Sequence, residues 1–274
     1  MKPENLIYVD WNLFSILKDP KLDVHLMLND FLRNNSDKIT LTYSDAHLGD
    51  LHRSTNASLR SSDLDYLSNR TKDLTIVKSF GRGYVDVENR NANEFYQQNV
   101  YDNSDEALKL FQVAVKSVTD NWGGLRDNLI QTHFNTDPKN ICNFSPEQLD
   151  ELIKMIGLST SLKEFIEFGL SLRGDTRSNP LTHIDYYTTA YMNFDLIGFF
   201  PDTMNENQGF DNLLNDSKHS AYGSICKAFI TNDNKCYHKS KFLFNYFKSE
   251  SKLIKTCKIK NLKELETQLN ELII

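Results

Sequence analysis

The 274-residue sequence has few of the residues that mark fibrous, linker-rich or disulfide-bonded chains. It contains 11 glycines, 6 prolines and 4 cysteines. Glycine and proline are too scarce for a collagen-like or linker-rich chain. No two cysteines form a CxxC pair, so neither a zinc ribbon nor a thioredoxin-like motif is expected. The simplest expectation is four free thiols.

Long apolar runs and an excess of positive charge are also missing. The longest apolar runs span only a few residues, which predicts no transmembrane helix and no membrane contact. The first five residues lack the apolar stretch of a signal peptide, so a cytoplasmic location is expected. The net charge is −6, which excludes a broad basic coat. Any contact with nucleic acid therefore has to be local.

The two ends of the sequence alternate between strand-like and helix-like patterns. Hydrophobic residues make up 39% of the chain and aromatic residues 11%, enough for a substantial core. Strands are predicted at Leu6–Val9, Ile39–Thr42, Leu74–Val77, Ala228–Thr231 and Lys255–Ile259. Strands that alternate with helices predict an α/β fold with a mostly parallel sheet flanked by helices.

The middle of the chain has a helical pattern instead. Separate helices are predicted at Ala107–Val118 and Leu125–Phe134, and Ser145 followed by Gln148 indicates the start of another. We therefore divide the chain into residues 1–90 as the first half of an α/β domain, 91–205 as a large helical insertion, and 206–274 as the second half of that domain.

Four acids occupy places where a parallel sheet gathers functional groups. Asp10 and Asp233 come just after predicted strands, Asp50 lies on the helix after the second strand, and Asp216 is expected in the first turn of a helix that begins at Asn215. Sites in open parallel sheets form at the carboxyl ends of strands. Carboxylate oxygens there would favour Mg²⁺ or Mn²⁺ over zinc. The alternative is that each acid is a helix cap or a solvated charge, and Asp216 suits a cap best.

Four short motifs carry a resemblance to a known family. Residues 7–12, a hydrophobic strand followed by Asp-x-Asn, resemble the opening motif of PIN-domain nucleases, and residues 43–51, 215–221 and 229–233 are similar to the second, third and fourth motifs. The resemblance implies a PIN-like fold and metal-dependent hydrolysis of phosphodiester bonds. It also implies that Asp10, Asp50, Asp216 and Asp233 bind Mg²⁺ or Mn²⁺ as the catalytic residues, with support from Asn12 and Thr231.

Two further groups of residues are candidates for supporting roles. His47 and His219 lie one helical turn from Asp50 and Asp216, where either could orient a carboxylate or make an ordinary structural hydrogen bond. The segment from Lys235 to Lys263 contains nine lysines and one acid. Lys235, Lys239 and Lys241 are therefore candidates for binding a phosphate backbone, the alternative being a solvated helix face over buried aromatic rings.

The function expected from the sequence is metal-dependent nuclease activity, with an endoribonuclease as the first hypothesis. Asp50 stands where the family usually has Glu, and Lys227 stands where many members have an acid. These departures support an alternative, a catalytically degenerate PIN-like module that binds RNA or protein. A DNA-directed nuclease is a third hypothesis. Nucleic acid is the expected partner, while a regulatory protein or homo-oligomerisation stays open.

Overall fold

The computed structural model describes residues 2–79, 84–98, 105–171, 181–201, 209–259 and 261–273. The protein is an α/β protein with a four-stranded, all-parallel sheet flanked by helices. A separate antiparallel pair of strands lies beside it. The strands are β1 (Leu6–Val9), β2 (Thr40–Thr42), β3 (Leu74–Ser79), β4 (Tyr84–Asn89), β5 (Ala228–Thr231) and β6 (Lys252–Lys255).

The helices of the described residues form groups on either side of the sheet. Those of the first part are α1 (Trp11–Ile16), α2 (Asp23–Asn34), α3 (Asp45–His52) and α4 (Ala57–Thr71). Those of the middle are α5 (Ala92–Gln98), α6 (Asp105–Thr132), α7 (Pro146–Met155), α8 (Leu162–Ser171) and α9 (His183–Leu196). Those of the last part are α10 (Gly209–Gly223), α11 (Asn234–Tyr246) and α12 (Leu262–Asn270).

The strand order β2-β1-β5-β6 places the first strand at the centre of the sheet. The chain leaves β1 toward β2 on one side and returns much later to pair β5 on the other side. The boundary between β1 and β5 is therefore the point at which the strand order reverses. In open α/β sheets, ligands bind beyond the carboxyl ends of the strands at such a point.

The sheet separates two hydrophobic cores because side chains alternate between its faces. Leu6, Tyr8 and Phe229 face a core that contains residues of the middle helices. Ile7 and Val9 face the second core, to which α1, α2, α4 and α12 contribute. The helices of the middle therefore share a core with the sheet. The predicted boundaries at residues 90 and 205 stay predictions.

Several predicted elements are confirmed. The structure has β1 and β5 at the predicted residues. Ser145 and Gln148 form a reciprocal capping box at the start of α7. Such reciprocal bonds satisfy two backbone N–H groups that the helix itself leaves without partners.

Other predicted elements are wrong in their bounds. The helices predicted at 107–118 and 125–134 are one helix, α6, which continues through Gly124, where the backbone has open space around it. The last strand lies at Lys252–Lys255 rather than 255–259, because the buried Ile254 pairs with Ile230 of β5. The helix α4 and the strand β4 were not predicted from the sequence.

Among the described residues, none of the helices combines the length and the apolar character that crossing a membrane requires.

The close approach of α10 to β5 predicts a specific effect of adding one methyl group. A Cβ at Gly223, the last residue of α10, would lie 2.5 Å from the Cγ of the buried Phe229. We expect Gly223→Ala to lower the free energy of unfolding in urea by about 1–3 kcal/mol, as overpacking does. Gly124→Ala is the matched control in an open helical position, and it should raise that free energy by about 0.5–1 kcal/mol. Equal effects of the two variants would contradict the packing described here.

Candidate active site at the carboxyl edge of the sheet

Asp10 is a buried acid held at the end of the central strand. Its side chain is 5% exposed, and Oδ1 accepts a hydrogen bond of 2.7 Å from the backbone N–H of Leu13, which makes Asp10 the N-cap of α1. Oδ2 accepts a bond of 3.3 Å from the backbone N–H of Asn232, beyond the neighbouring strand. The carboxylate therefore links the ends of β1 and β5.

Asp233 has the corresponding position after β5. It is the N-cap of α11, and its Oδ1 accepts a bond of 2.7 Å from the backbone N–H of Cys236. The hydroxyl of the fully buried Thr231 accepts a bond of 3.0 Å from the Asp233 N–H. The two predicted strand-end acids thus both cap helices and lie at adjacent strand ends. Each carboxylate is therefore both a helix cap, which was the structural interpretation of the sequence, and a side chain at a strand end, which was the functional one.

The charges of these acids influence one another. Burial raises the pKa of Asp10, the hydroxyl of Thr231 and the nearby His219 lower it, and the negative charge of Asp233 raises it. Burial also raises the pKa of the Cys236 thiol, and the charges of Asp216, Asp233 and Asp10 raise it further. Three of the four predicted acids therefore contribute to the electrostatic environment of the same buried thiol.

Asp216 lies within a helix rather than at its start. The prediction that Asn215 and Asp216 open a helix is wrong, because α10 begins at Gly209. Buried Leu213 and Ser217 lie one turn apart and extend the packed face of the helix upstream of Asp216. The interpretation of Asp216 as an N-cap is therefore also wrong.

Asp50 accepts hydrogen bonds from three side chains, one just after α3 and two on α10. Its Oδ1 accepts hydrogen bonds from Arg53 and, at 3.0 Å, from the side-chain amide of Asn215. Its Oδ2 lies 2.9 Å from Nε2 of His219. Burial alone would raise the pKa of Asp50, but His219 and Arg53 outweigh burial and lower it. Both oxygens of Asp50 serve the contact between α3 and α10.

A buried hydrogen-bonded network connects Asp50 to the central strand. The hydroxyl of Tyr8 lies 2.9 Å from Nδ1 of His219 and 2.6 Å from the hydroxyl of Ser44. When Nε2 of His219 donates to Asp50, its Nδ1 is free to accept the proton of the Tyr8 hydroxyl. Tyr8 and Ser44 were not predicted as part of the site. The sequence feature that could have indicated Tyr8 is its hydroxyl within an otherwise apolar strand, because a buried hydroxyl needs a hydrogen-bond partner.

His47 has a structural role that fixes its protonation state. Its Nδ1 accepts a bond of 3.1 Å from the backbone N–H of Ser44, so His47 takes the place of Glu or Gln in the capping box of α3. Its Nε2 lies 2.8 Å from the carbonyl oxygen of Val9, to which it donates. Burial and the neighbouring His219 lower the pKa of His47 to about 3. His47 is therefore neutral at physiological pH.

The remaining predicted side chains have different surroundings. Asn12 is exposed in the first turn of α1, and Lys241 is exposed on α11. Lys235 is half-buried, and its Nζ donates to the carbonyl oxygen of Pro201 at 2.7 Å. The expectation that Lys239 contacts phosphate is wrong, because its side chain is fully buried and its ammonium lies 2.6 Å from a carboxylate oxygen of Asp195.

The described part of the chain contains no group of three His, Cys, Asp or Glu side chains already arranged to hold a metal ion. Within the same ranges, neither Asp10 nor Asp233 forms an ion pair with Lys, Arg or His. A separate pair lies nearby, in which Lys218 of α10 contacts Asp45 of α3 at 2.7 Å. In the described ranges, the side chains of Asp10 and Asp233 therefore have no basic side chain as an ion-pair partner.

The raised pKa of Asp10 predicts that removing its charge stabilises the protein. The folded state binds the Asp10 proton more tightly than the unfolded state, so ionisation at neutral pH lowers stability. Asn is an equally good N-cap, so Asp10→Asn keeps the cap and removes the charge. We expect the variant to melt about 2 °C higher in EDTA at pH 7.5, and the gain to shrink as the pH falls and Asp10 takes up its proton. Asp137→Asn, at an exposed cap, should melt like the parent protein.

The low pKa of His47 predicts sensitivity to acid. The unfolded state takes up a proton near pH 6.5 that the folded state does not take up until about pH 3, so stability falls as the pH falls through that window. One such proton costs about 1.4 kcal/mol per pH unit. His47→Gln should therefore be less stable at pH 7.5 but lose about 2 kcal/mol less between pH 6.5 and 5 in urea unfolding. A parallel pH dependence in the two proteins would contradict this assignment.

In comparisons with family models, curated proteins and solved structures, nothing matches this chain. The resemblance of the four motifs to PIN-domain nucleases stays a prediction from the sequence. The case for a function therefore depends on the geometry and charge of the edge that Asp10 and Asp233 form.

Proposed function

We propose that this protein is a PIN-like, metal-dependent nuclease that hydrolyses phosphodiester bonds, with RNA as its substrate. The observation that carries the proposal is the pair Asp10 and Asp233. They follow neighbouring parallel strands at the point where the strand order reverses, and neither has a basic partner among the described residues. Asp216 supports it as a third acid near the same buried thiol.

The chemistry of these donors fits a hard divalent cation. Two unit charges 4 Å apart repel by about 4 kcal/mol at an effective dielectric constant near 20, and a bound cation removes that repulsion. All the donors are oxygens, the ligands that Mg²⁺ and Mn²⁺ prefer. The oxygens of Asp10 each accept one backbone hydrogen bond and keep further lone pairs. Asp10, Asp233 and Asp216 would hold the cation, which supplies an activated water and stabilises the leaving oxygen.

The other residues of the edge position these carboxylates. The N-cap bonds of Asp10 and Asp233 fix the orientation of the two carboxylates, and Thr231 holds the backbone of Asp233. His219 and Asn215 bind Asp50 and so hold α3 against α10, the helix that carries Asp216. In this proposal Asp50 acts through that contact, although the family resemblance implies that it binds the metal.

The surface beside the edge contributes to substrate binding in this proposal. Lys241 is exposed on α11, the helix that Asp233 caps, and Lys235 lies in the first turn of the same helix. In this proposal their positive charges attract a phosphate backbone toward the acids. Lys239 makes no such contribution, because it neutralises Asp195 in the interior.

A second candidate function is supported by the surroundings of Asp50. Its two oxygens already accept hydrogen bonds from Arg53, Asn215 and His219. This acid therefore has partners within the protein. That arrangement suits a degenerate PIN-like module that binds RNA or protein without cleaving it. Such a module would gain no stability from Mg²⁺ or Mn²⁺.

The nuclease proposal predicts cleavage that depends on both a metal and the two strand-end acids. End-labelled single-stranded RNA and DNA are incubated with the protein in Mn²⁺, Mg²⁺ or EDTA. We expect RNA to be cut with Mn²⁺ or Mg²⁺ and not with EDTA. Asp10→Asn and Asp233→Asn should each lower the rate by about 100-fold or more, because each removes charge from the site that stabilises the transition state.

Asp137→Asn is the matched control, since it changes an N-cap aspartate away from the edge and should leave the rate unchanged. Cleavage of DNA alone would favour the DNA-directed nuclease. Absence of cleavage in a folded protein whose melting temperature does not respond to Mn²⁺ would favour the binding module. Undiminished cleavage by Asp10→Asn would refute the proposed site.

A further inference from the structure

A cavity with both polar and apolar lining lies at the opposite edge of the sheet from the acids. It has a volume of about 210 Å³ and is bordered by the amino end of β2 and the carboxyl ends of α2 and α4. Its polar lining includes Arg33, Arg70, Lys72, Ser36 and Thr40. The candidate active site uses none of these residues.

The lining of this cavity is strongly positive. Arg33, Arg70 and Lys72 contribute three positive charges, and the lining contains no acid. Within the described ranges, none of the three forms an ion pair with a carboxylate. The carboxyl ends of α2 and α4 act as about half a negative charge each. Those helix ends therefore neutralise only about one of the three positive charges.

Buried donors near the cavity also lack partners. The Nε of Arg70 and the hydroxyl of Tyr66, one helical turn earlier on α4, are buried without a hydrogen bond within the described part of the chain. The terminal nitrogen of Arg70 reaches only Asn29, at 3.5 Å. Leaving a buried donor unsatisfied is costly, and for a charged group the cost is greater. These two atoms are closed to solvent, so an anion in the cavity would meet the positive charge of Arg70 without bonding to them.

We propose that this cavity binds the phosphate group of a small phosphorylated molecule. The planar guanidinium of Arg70 can donate two parallel hydrogen bonds to phosphate oxygens, and the excess of about two positive charges matches a phosphate dianion. Leu32, Ile39 and Leu41 give the cavity an apolar wall for the rest of the ligand. The volume lies below the usual range for drug-sized ligands, so the ligand has to be small.

The proposal is independent of nuclease activity and is tested without a divalent metal. The full chain is titrated in EDTA with inorganic phosphate and, separately, with AMP and glycerol 3-phosphate. Binding is followed by calorimetry and by the melting temperature, with sodium chloride at matched ionic strength as the reference. We expect saturable binding and a rise in melting temperature that sodium chloride does not reproduce.

Three variants define the site. Arg70→Met and Lys72→Gln should each weaken phosphate binding at least about tenfold, because each removes a charge-assisted hydrogen bond. Lys72 is exposed, so its replacement keeps the test valid if Arg70→Met does not fold. Lys248→Gln is the matched control, an exposed lysine with the same backbone φ of 54° at another place, and it should bind as the parent does.

The outcomes show whether the site exists and whether it takes an organic phosphate or the free ion. Tighter binding of AMP or glycerol 3-phosphate than of phosphate supports a site for an organic phosphate, and equal binding supports a site for the free ion. Asp10→Asn should bind phosphate like the parent, because it changes the other edge of the sheet. The proposal is refuted if no probe binds saturably, or if Lys248→Gln weakens binding as much as Lys72→Gln.

Discussion

The parallel pairing of β1 with β5 joins two parts of the chain that lie more than 200 residues apart, and the rest of the structure depends on it. Ile7 pairs with Ala228 and Val9 with Ile230. This register places Asp10 beside Asn232, so that the first strand-end acid accepts a hydrogen bond from the segment that leads to the second. A shift of one residue would turn the apolar side chains of the shifted strand to the wrong cores. Packing on two faces therefore fixes the edge at which the acids meet.

The interior beside this pairing is unusually polar for a core. Tyr8, His47 and His219 are almost completely buried, and each has hydrogen-bond partners. Buried polar groups are costly unless they are bonded, so a network whose members all have partners favours one arrangement of β1, α3 and α10. That arrangement positions the helix of Asp216 relative to the strand of Asp10. The same network occupies Asp50, which the motif resemblance assigned to metal binding.

Short sequence patterns predicted the local structure well where the apolar runs were clear. The apolar runs at 6–9 and 228–231 predicted β1 and β5 at their observed bounds, and Ser145 with Gln148 predicted a helix start. Prediction failed where local signals were weak. Two helices were predicted at 107–118 and 125–134 where one helix continues, and Asn215–Asp216 resembled a helix start within a longer helix, because packing outweighs local preference there. The burial of Lys239 could not be predicted from the sequence either, since its partner Asp195 comes from a different helix.

The sequence by itself determined the alternation of strands and helices, the mostly parallel character of the sheet, and the placement of Asp10 and Asp233 at strand ends. Those features follow from the local order of apolar and polar residues, which any stretch of chain carries within it. Only the tertiary structure decided which acids lie at neighbouring strand ends and which already accept hydrogen bonds from other side chains. Asp216 lies within α10 because that helix starts earlier than the sequence pattern predicted, whereas Asp50 accepts hydrogen bonds from groups about 165 residues away in the chain. Such contacts depend on packing between distant segments, and no local pattern encodes them.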